Sequence, residues 1–143
     1  MSKVILIGIC KKNGGLIANI VSVEAVKGKG LAGDRKFKDN NNKKSQLTLI
    51  EMENIENYNR LTGTYIDPLD FRRNIVTQDV NLNKLVNKEF FIGDIKVKGH
   101  DLCRPCYYLQ ELLSQSNFVK ELKLTGGLRC EILTSGKIFV NDI

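Results

Sequence analysis

The chain has 143 residues, 42% of them hydrophobic and 27% charged, the composition of one globular domain and not of a disordered or collagen-like chain. The longest apolar run, Val4 to Cys10, is far short of the roughly twenty residues that a membrane helix needs. Lysine and arginine exceed the acids to give a net charge of +6, so anionic partners are favoured over cationic ones. No secretory leader is read at the N-terminus, so the expected compartment is the cytoplasm. There the four cysteines, Cys10, Cys103, Cys106 and Cys130, read as metal-binding, catalytic or core thiols and not as a disulfide framework.

In chain order, Val4 to Ile9 is a continuous apolar run and predicts a buried strand. Asn13-Gly14-Gly15 marks a turn, and Leu16 to Val26 predicts one long second strand in a hairpin with the first. A glycine-rich basic loop follows from Lys27 to Arg35, and Lys36 to Ser45 is polar enough to predict a mobile surface loop. Gln46 to Glu51 alternates as a half-buried strand, and Met52, Ile55, Tyr58 and Leu61 give a short helix its apolar face, stopped at Gly63. Phe71 to Thr77 predicts a strand, and Phe90 to Val97 a hairpin about Gly93-Asp94. Pro105 opens a predicted helix to Ser116, Phe118 to Leu124 a second, and Leu128 to Val140 a closing hairpin about Ser135-Gly136. Many short strands without β-α alternation predict a mainly β domain with short helices, closed into a β-barrel.

Four constellations could carry chemistry. In Cys103-Arg104-Pro105-Cys106, a helix start and Arg104 would stabilise a thiolate, the species that a soft metal or a sulfur carrier needs. A redox pair, half of a zinc site, a single reactive cysteine and two small core residues all fit that spacing. Arg72 and Arg73 open the apolar run that ends at Thr77. On a strand they would face opposite sides, so one would either point into a core and require an anion or snorkel from an edge strand. Gly33-Asp34-Arg35 offers backbone N–H groups to an anion, without the ending of a Walker loop. Gly126-Gly127-Leu128-Arg129 precedes a strand. His100, the only histidine, reads as a polar strand-end residue.

Taken in order, the chain resembles a small stand-alone MOSC domain, the module named for the C-terminal part of molybdenum cofactor sulfurases. The resemblance runs through Gly30 to Arg35, Gln46 to Ile50, Phe71 to Thr77, Phe91 to Asp94, Cys103 to Cys106 with Leu109, Gly126 to Cys130, and Gly136-Lys137-Ile138 with Asn141-Asp142. Two positions depart from the family's habit: Lys36 stands where a histidine is common and Ser45 where an arginine is. The resemblance implies a closed β-barrel of the pyruvate-kinase β-barrel-like type. It implies the molybdenum cofactor (molybdopterin) as ligand and Cys106 as the thiolate that ligates molybdenum or carries sulfur, with Cys103 the less expected choice. Arg72, Arg73, Asn74, Gly33, Asp34, Arg35, Thr48 and Arg129 are the implied cofactor-binding residues. The implied activity is reduction of N-hydroxylated compounds, or delivery of sulfur or cofactor to a partner; a non-catalytic carrier is the alternative. Implied partners are an electron donor, a cofactor biosynthesis or acceptor protein, and a sulfurase that carries its own pyridoxal phosphate. A basic nucleic-acid-binding barrel is a further alternative. Against it, paired aromatic platforms beside the basic residues are scarce, Tyr107-Tyr108 being the candidate.

Overall fold

A computed structural model describes residues 2–12, 15–103 and 126–143. Ten strands and one α-helix lie among these residues, so the fold is mainly β. The strands are β1 (Lys3–Ile9), β2 (Ala18–Ile20), β3 (Ser22–Val26), β4 (Gly30–Leu31), β5 (Leu47–Glu51), β6 (Ile75–Gln78), β7 (Glu89–Ile92), β8 (Ile95–Leu102), β9 (Leu128–Ile132) and β10 (Gly136–Phe139). The helix α1 (Met52–Thr62) follows β5 and ends at Gly63 in the left-handed region, as its pattern predicts. The predicted helices after Pro105 lie outside the described residues. No described helix is long and apolar enough to cross a membrane.

Seven strands form one sheet in the order β2-β1-β6-β5-β9-β8-β7, and β10-β3-β4 form a second. The expected closed barrel is therefore corrected to an open half-barrel, whose edge strands β2 and β7 do not pair with each other. The smaller sheet serves as cover in place of closure. Val23, Ala25, Leu31 and Ile138 from it are buried with Val4, Ile7, Leu47, Leu49, Val97 and Leu128 from the larger one. The C-terminal residues span the remaining gap. Val4 N–H donates to Asp142 O (2.8 Å), Asn141 N–H to Val4 O (2.8 Å), and Gly93 N–H, in the β7–β8 turn, to Ile143 O (3.0 Å).

Several predicted elements change for reasons of sheet membership. The long second strand breaks at Val21: β2 pairs with β1, whereas β3 crosses to the small sheet. The closing hairpin does not form, because β9 lies between β5 and β8 while β10 pairs with β3. β5 is buried along its length rather than half-buried, since it sits in mid-sheet under α1, which buries Ile55 and Tyr58 against Ile50 and Val76. The polar loop after Lys36 is pinned by the buried Asn41, whose Nδ2 donates to Lys29 O (2.9 Å) and Lys36 O (2.7 Å).

Candidate functional site

The strand predicted from Phe71 starts later, at Ile75. Pro68–Phe71 is a 3-10 turn instead, with Asp67 capping it through Leu69 N–H (3.0 Å). Arg72 ends that turn at φ +62, a left-handed conformation that costs an ordinary side chain about 1–3 kcal/mol. This reversal overturns the strand geometry expected of Arg72 and Arg73. Both now line the same cleft.

The cleft is assembled from five places in the sequence. The end of β1 contributes Gly8 and Cys10, the turn after β4 contributes Asp34, Arg35 and Lys36, β5 contributes Thr48, and the lead into β6 contributes Arg72, Arg73 and Asn74; Ile17 completes the lining. Asn74 and Thr48 fasten the frame. Asn74 Oδ1 accepts from Thr48 N–H (3.1 Å) and Thr48 Oγ1 (3.0 Å), Asn74 Nδ2 donates to Gly8 O (3.2 Å), and Asn74 N–H donates to Thr48 Oγ1 (3.0 Å). These two polar side chains thus hold β1, β5 and β6 in register at their ends.

Arginine and lysine dominate what remains. Among the described residues Asp34 is the one carboxylate lining the cleft, and its oxygens face backbone: Oδ1 accepts from Cys10 N–H (2.9 Å) and Oδ2 more weakly from Lys36 N–H (3.4 Å). Among the described residues, none of Arg35, Lys36, Arg72 and Arg73 has a carboxylate at ion-pair distance. Crowding is visible in Lys36, whose ammonium is held below its usual pKa by partial burial and by the charges of Arg35 and Arg73, against the opposing pull of Asp34 and Cys103. Arg73 donates through Nε to Gly126 O (2.8 Å), and Arg72 donates to the Cys10 sulfur (3.4 Å).

Sequence reasoning missed Gly8, Cys10 and Ile17, and named Lys36 only as a departure from the family's pattern. Cys10 closes β1, and only the pairing of β1 with β6 brings it to Arg72. No spacing along the chain carries that information. Of the expected residues, Gly33 lies outside the lining and turns the chain at φ +89 into Asp34. Arg129 also lies outside it: its guanidinium makes a two-pronged pair with Asp101, Nε to Oδ1 at 2.7 Å and the second nitrogen to Oδ2.

Cys103 is buried at the end of β8, where its N–H donates to Gly127 O (2.7 Å). Burial pushes its thiol pKa up, although Arg73, Arg129 and Lys36 pull the other way, so burial disfavours its thiolate. Cys130 is buried too, and its thiol is raised further. Cys106 lies outside the described residues. Among the described residues, no three His, Cys, Asp or Glu side chains are grouped to hold a metal ion.

The Asp101–Arg129 pair carries a pH prediction. The Arg129 hydrogen bond holds the Asp101 carboxyl below its usual range, despite some desolvation and with help from Lys44 at 3.3 Å. A lowered folded-state pKa stabilises above the unfolded value of about 3.9 and is lost as pH falls through the folded value. Both side chains are about one-third exposed (35% and 37%), so the contribution is that of a surface pair, about 1 kcal/mol or less. Asp101→Asn should therefore lower stability slightly at pH 7 and match the parent below the carboxylate range. Urea unfolding from pH 7 to pH 2 checks this; a difference that persists at pH 2 would mean the pair acts by packing, not charge.

The comparisons with known proteins agree with this geometry. No curated protein matches the sequence. Among solved structures, the YUAD protein from Bacillus subtilis superposes with a TM-score of 0.82 at 16% identity, covering 99% of this chain and 93% of that one. YiiM from Geobacillus stearothermophilus gives 0.76 at 13% identity over 99% and 73% of the two chains, and YiiM from Escherichia coli 0.67 at 16% over 99% and 69%. At such identities these likenesses speak for the fold. The MOSC domain family model matches residues 32–143, more than half of the chain and all of the cleft after β1 and Ile17. The chain belongs to the MOSC domain family.

Proposed function

We propose that the protein binds the molybdenum cofactor at this cleft, with Cys106 as the thiolate ligand to molybdenum. The observation that carries the reading is the convergence of Arg35, Lys36, Arg72 and Arg73 on one cleft where, among the described residues, the only carboxylate is engaged by backbone N–H groups. Such a cleft fits an anionic cofactor, because a cluster of cations without counter-charge is costly until an anion enters. Arg72 and Arg73 would hold the phosphate end, since a guanidinium favours two-pronged hydrogen bonds to phosphate. Lys36 adds a point charge beside them. Thr48 and Asn74 fix the frame on which those cations stand. Burial of Cys103 raises its thiol pKa, which favours Cys106 over it as the reactive thiol. When bound, the cofactor supplies two-electron redox chemistry at molybdenum.

The reaction that fits is reduction of N-hydroxylated compounds with electrons from a donor protein. Carriage of sulfur or cofactor between a pyridoxal-phosphate-dependent sulfurase and an acceptor uses the same two features, the cationic cleft and the Cys106 thiolate. Protein purified without oxygen from a host that makes the cofactor should contain stoichiometric molybdenum and pterin. Cys106→Ser should lose the molybdenum, and Arg72→Glu both. Neither component in the parent protein, together with no uptake of released cofactor in vitro, would overturn the reading.

A further inference from the structure

The cations of the cleft are organised by protein contacts. Cys10 is central to this. Its N–H donates to Asp34, its carbonyl accepts from Arg35 N–H (2.7 Å), and its sulfur donates to Lys12 O (2.7 Å) while accepting from Arg72 (3.4 Å). One residue thus ties the end of β1 to both cationic segments. It is also buried, at 3% exposure, so the tie is shielded from water. Arg72 is fixed a second time by its left-handed backbone, whose N–H donates to Leu69 O (3.0 Å). Arg73 is fixed by Nε to Gly126 O and by Nη1 to Phe71 O (3.4 Å).

A guanidinium has five N–H donors. Among the described residues Arg72 engages one of them and Arg73 two, so most donors of both remain available. The enclosed volume is about 20 Å³, on the measure by which one water occupies about 10–15 Å³. That is room for a compact ion at the floor, below a mouth that opens to solvent. Preorganised donors, uncompensated positive charge and small size together describe a receptor for a small multivalent anion.

We infer that the cleft is a complete site for a free tetrahedral oxyanion of the phosphate, sulfate and molybdate class, bound by Arg72, Arg73 and Lys36 and organised by the Cys10 thiol. The inference shares with the proposed function the placing of an anion here, but it does not require the organic part of a cofactor. A free oxyanion and the phosphate end of a cofactor present the same chemistry to these residues, and competition separates them.

The test is isothermal titration calorimetry of the full chain, free of cofactor, with sodium phosphate, sulfate and molybdate in a chloride background. Saturable one-site binding is expected. Arg72→Gln should weaken it about tenfold or more, the loss of one charged fork. Cys10→Ala should weaken it by a similar factor, and Cys10→Ser, which retains a donor and an acceptor, should restore most of it with an unchanged thermal midpoint. Lys137→Gln, on β10 in the other sheet, should leave binding as it is. Binding that is not saturable, or that Arg72→Gln and Lys137→Gln weaken alike, would overturn the inference in favour of diffuse attraction to a basic surface. Released cofactor distinguishes the two readings. Cofactor uptake without competition from phosphate sinks the oxyanion site and leaves the cofactor reading standing. Phosphate binding without any cofactor uptake does the reverse. Mutual displacement supports both and identifies the cofactor's phosphate as an occupant.

Discussion

Gly127→Ala should remove a large share of the protein's stability. A Cβ at this position would lie 2.1 Å from the carbonyl oxygen of Leu49 and 3.2 Å from its carbon, both backbone atoms of the central strand β5. Side-chain rotation cannot relieve that overlap. Leu49 pairs with Leu128, the next residue along, so relief means parting β5 from β9 in the middle of the sheet. The backbone is also at φ +113, where alanine is strained. Strain of about 1–3 kcal/mol and overpacking of about 1–3 kcal/mol add to about 2–6, against a net stability of about 5–15 kcal/mol for an ordinary domain. Gly63→Ala is the matched control: φ is +69 there, but nothing lies within 4 Å of the new methyl, so only the left-handed cost of about 1–2 kcal/mol applies. Denaturant midpoints of the two variants check the prediction. If both shift alike, the clash with Leu49 has been relieved by a movement that the fold permits.

Asn74→Ala should cost about 2–4 kcal/mol, because it removes bonds to two strands and leaves the N–H of the buried Thr48 without its acceptor. The informative companion is Asn74→Asp. It keeps an oxygen for Thr48, gives up the donor to Gly8 O, and places a carboxylate beside Arg72 and Arg73. Stability should recover in part while anion binding is lost, because the cations acquire an internal partner. Thermal unfolding reads the first quantity and phosphate titration the second. If Asn74→Asp binds phosphate as well as the parent does, Asn74 does not face the anion, and its role ends at holding β1, β5 and β6 together.

Local features of the fold were legible in the sequence and long-range ones were not. The apolar run at β1, the helix face of Ile55 and Tyr58 with its stop at Gly63, and the β7–β8 hairpin all follow from patterns within a dozen residues. The break at Val21 and the parting of β9 from β10 do not, because a period-two pattern is the same whichever sheet a strand joins. Closure into a barrel was an expectation drawn from the number of strands. What seals this half-barrel instead is a three-residue segment at the C-terminus, too short to show any period. The cleft divides in the same way. Asp34, Arg35, Thr48, Arg72, Arg73 and Asn74 stand out by residue type and neighbours, whereas Cys10 acquires its place only when β1 pairs with β6. Arg129 has the right chemistry for an anion, but Asp101 reaches it first across the β8–β9 pair.

The bonds from Val4 to Asn141 and Asp142 tie together opposite ends of the sequence. Closing a loop of that length has an entropic cost that no local contact offsets in advance. Among the described residues ten strands outweigh the one α-helix. Folding of this protein belongs to the slow regime of non-local β topologies, milliseconds to seconds. Until residues 141–143 dock, Val4 and Leu49 stand at an open seam beside Phe90 and Ile92. That interval is when the chain is most exposed to association with other copies, and variants that loosen the C-terminal segment should aggregate during refolding before they lose measurable stability at equilibrium.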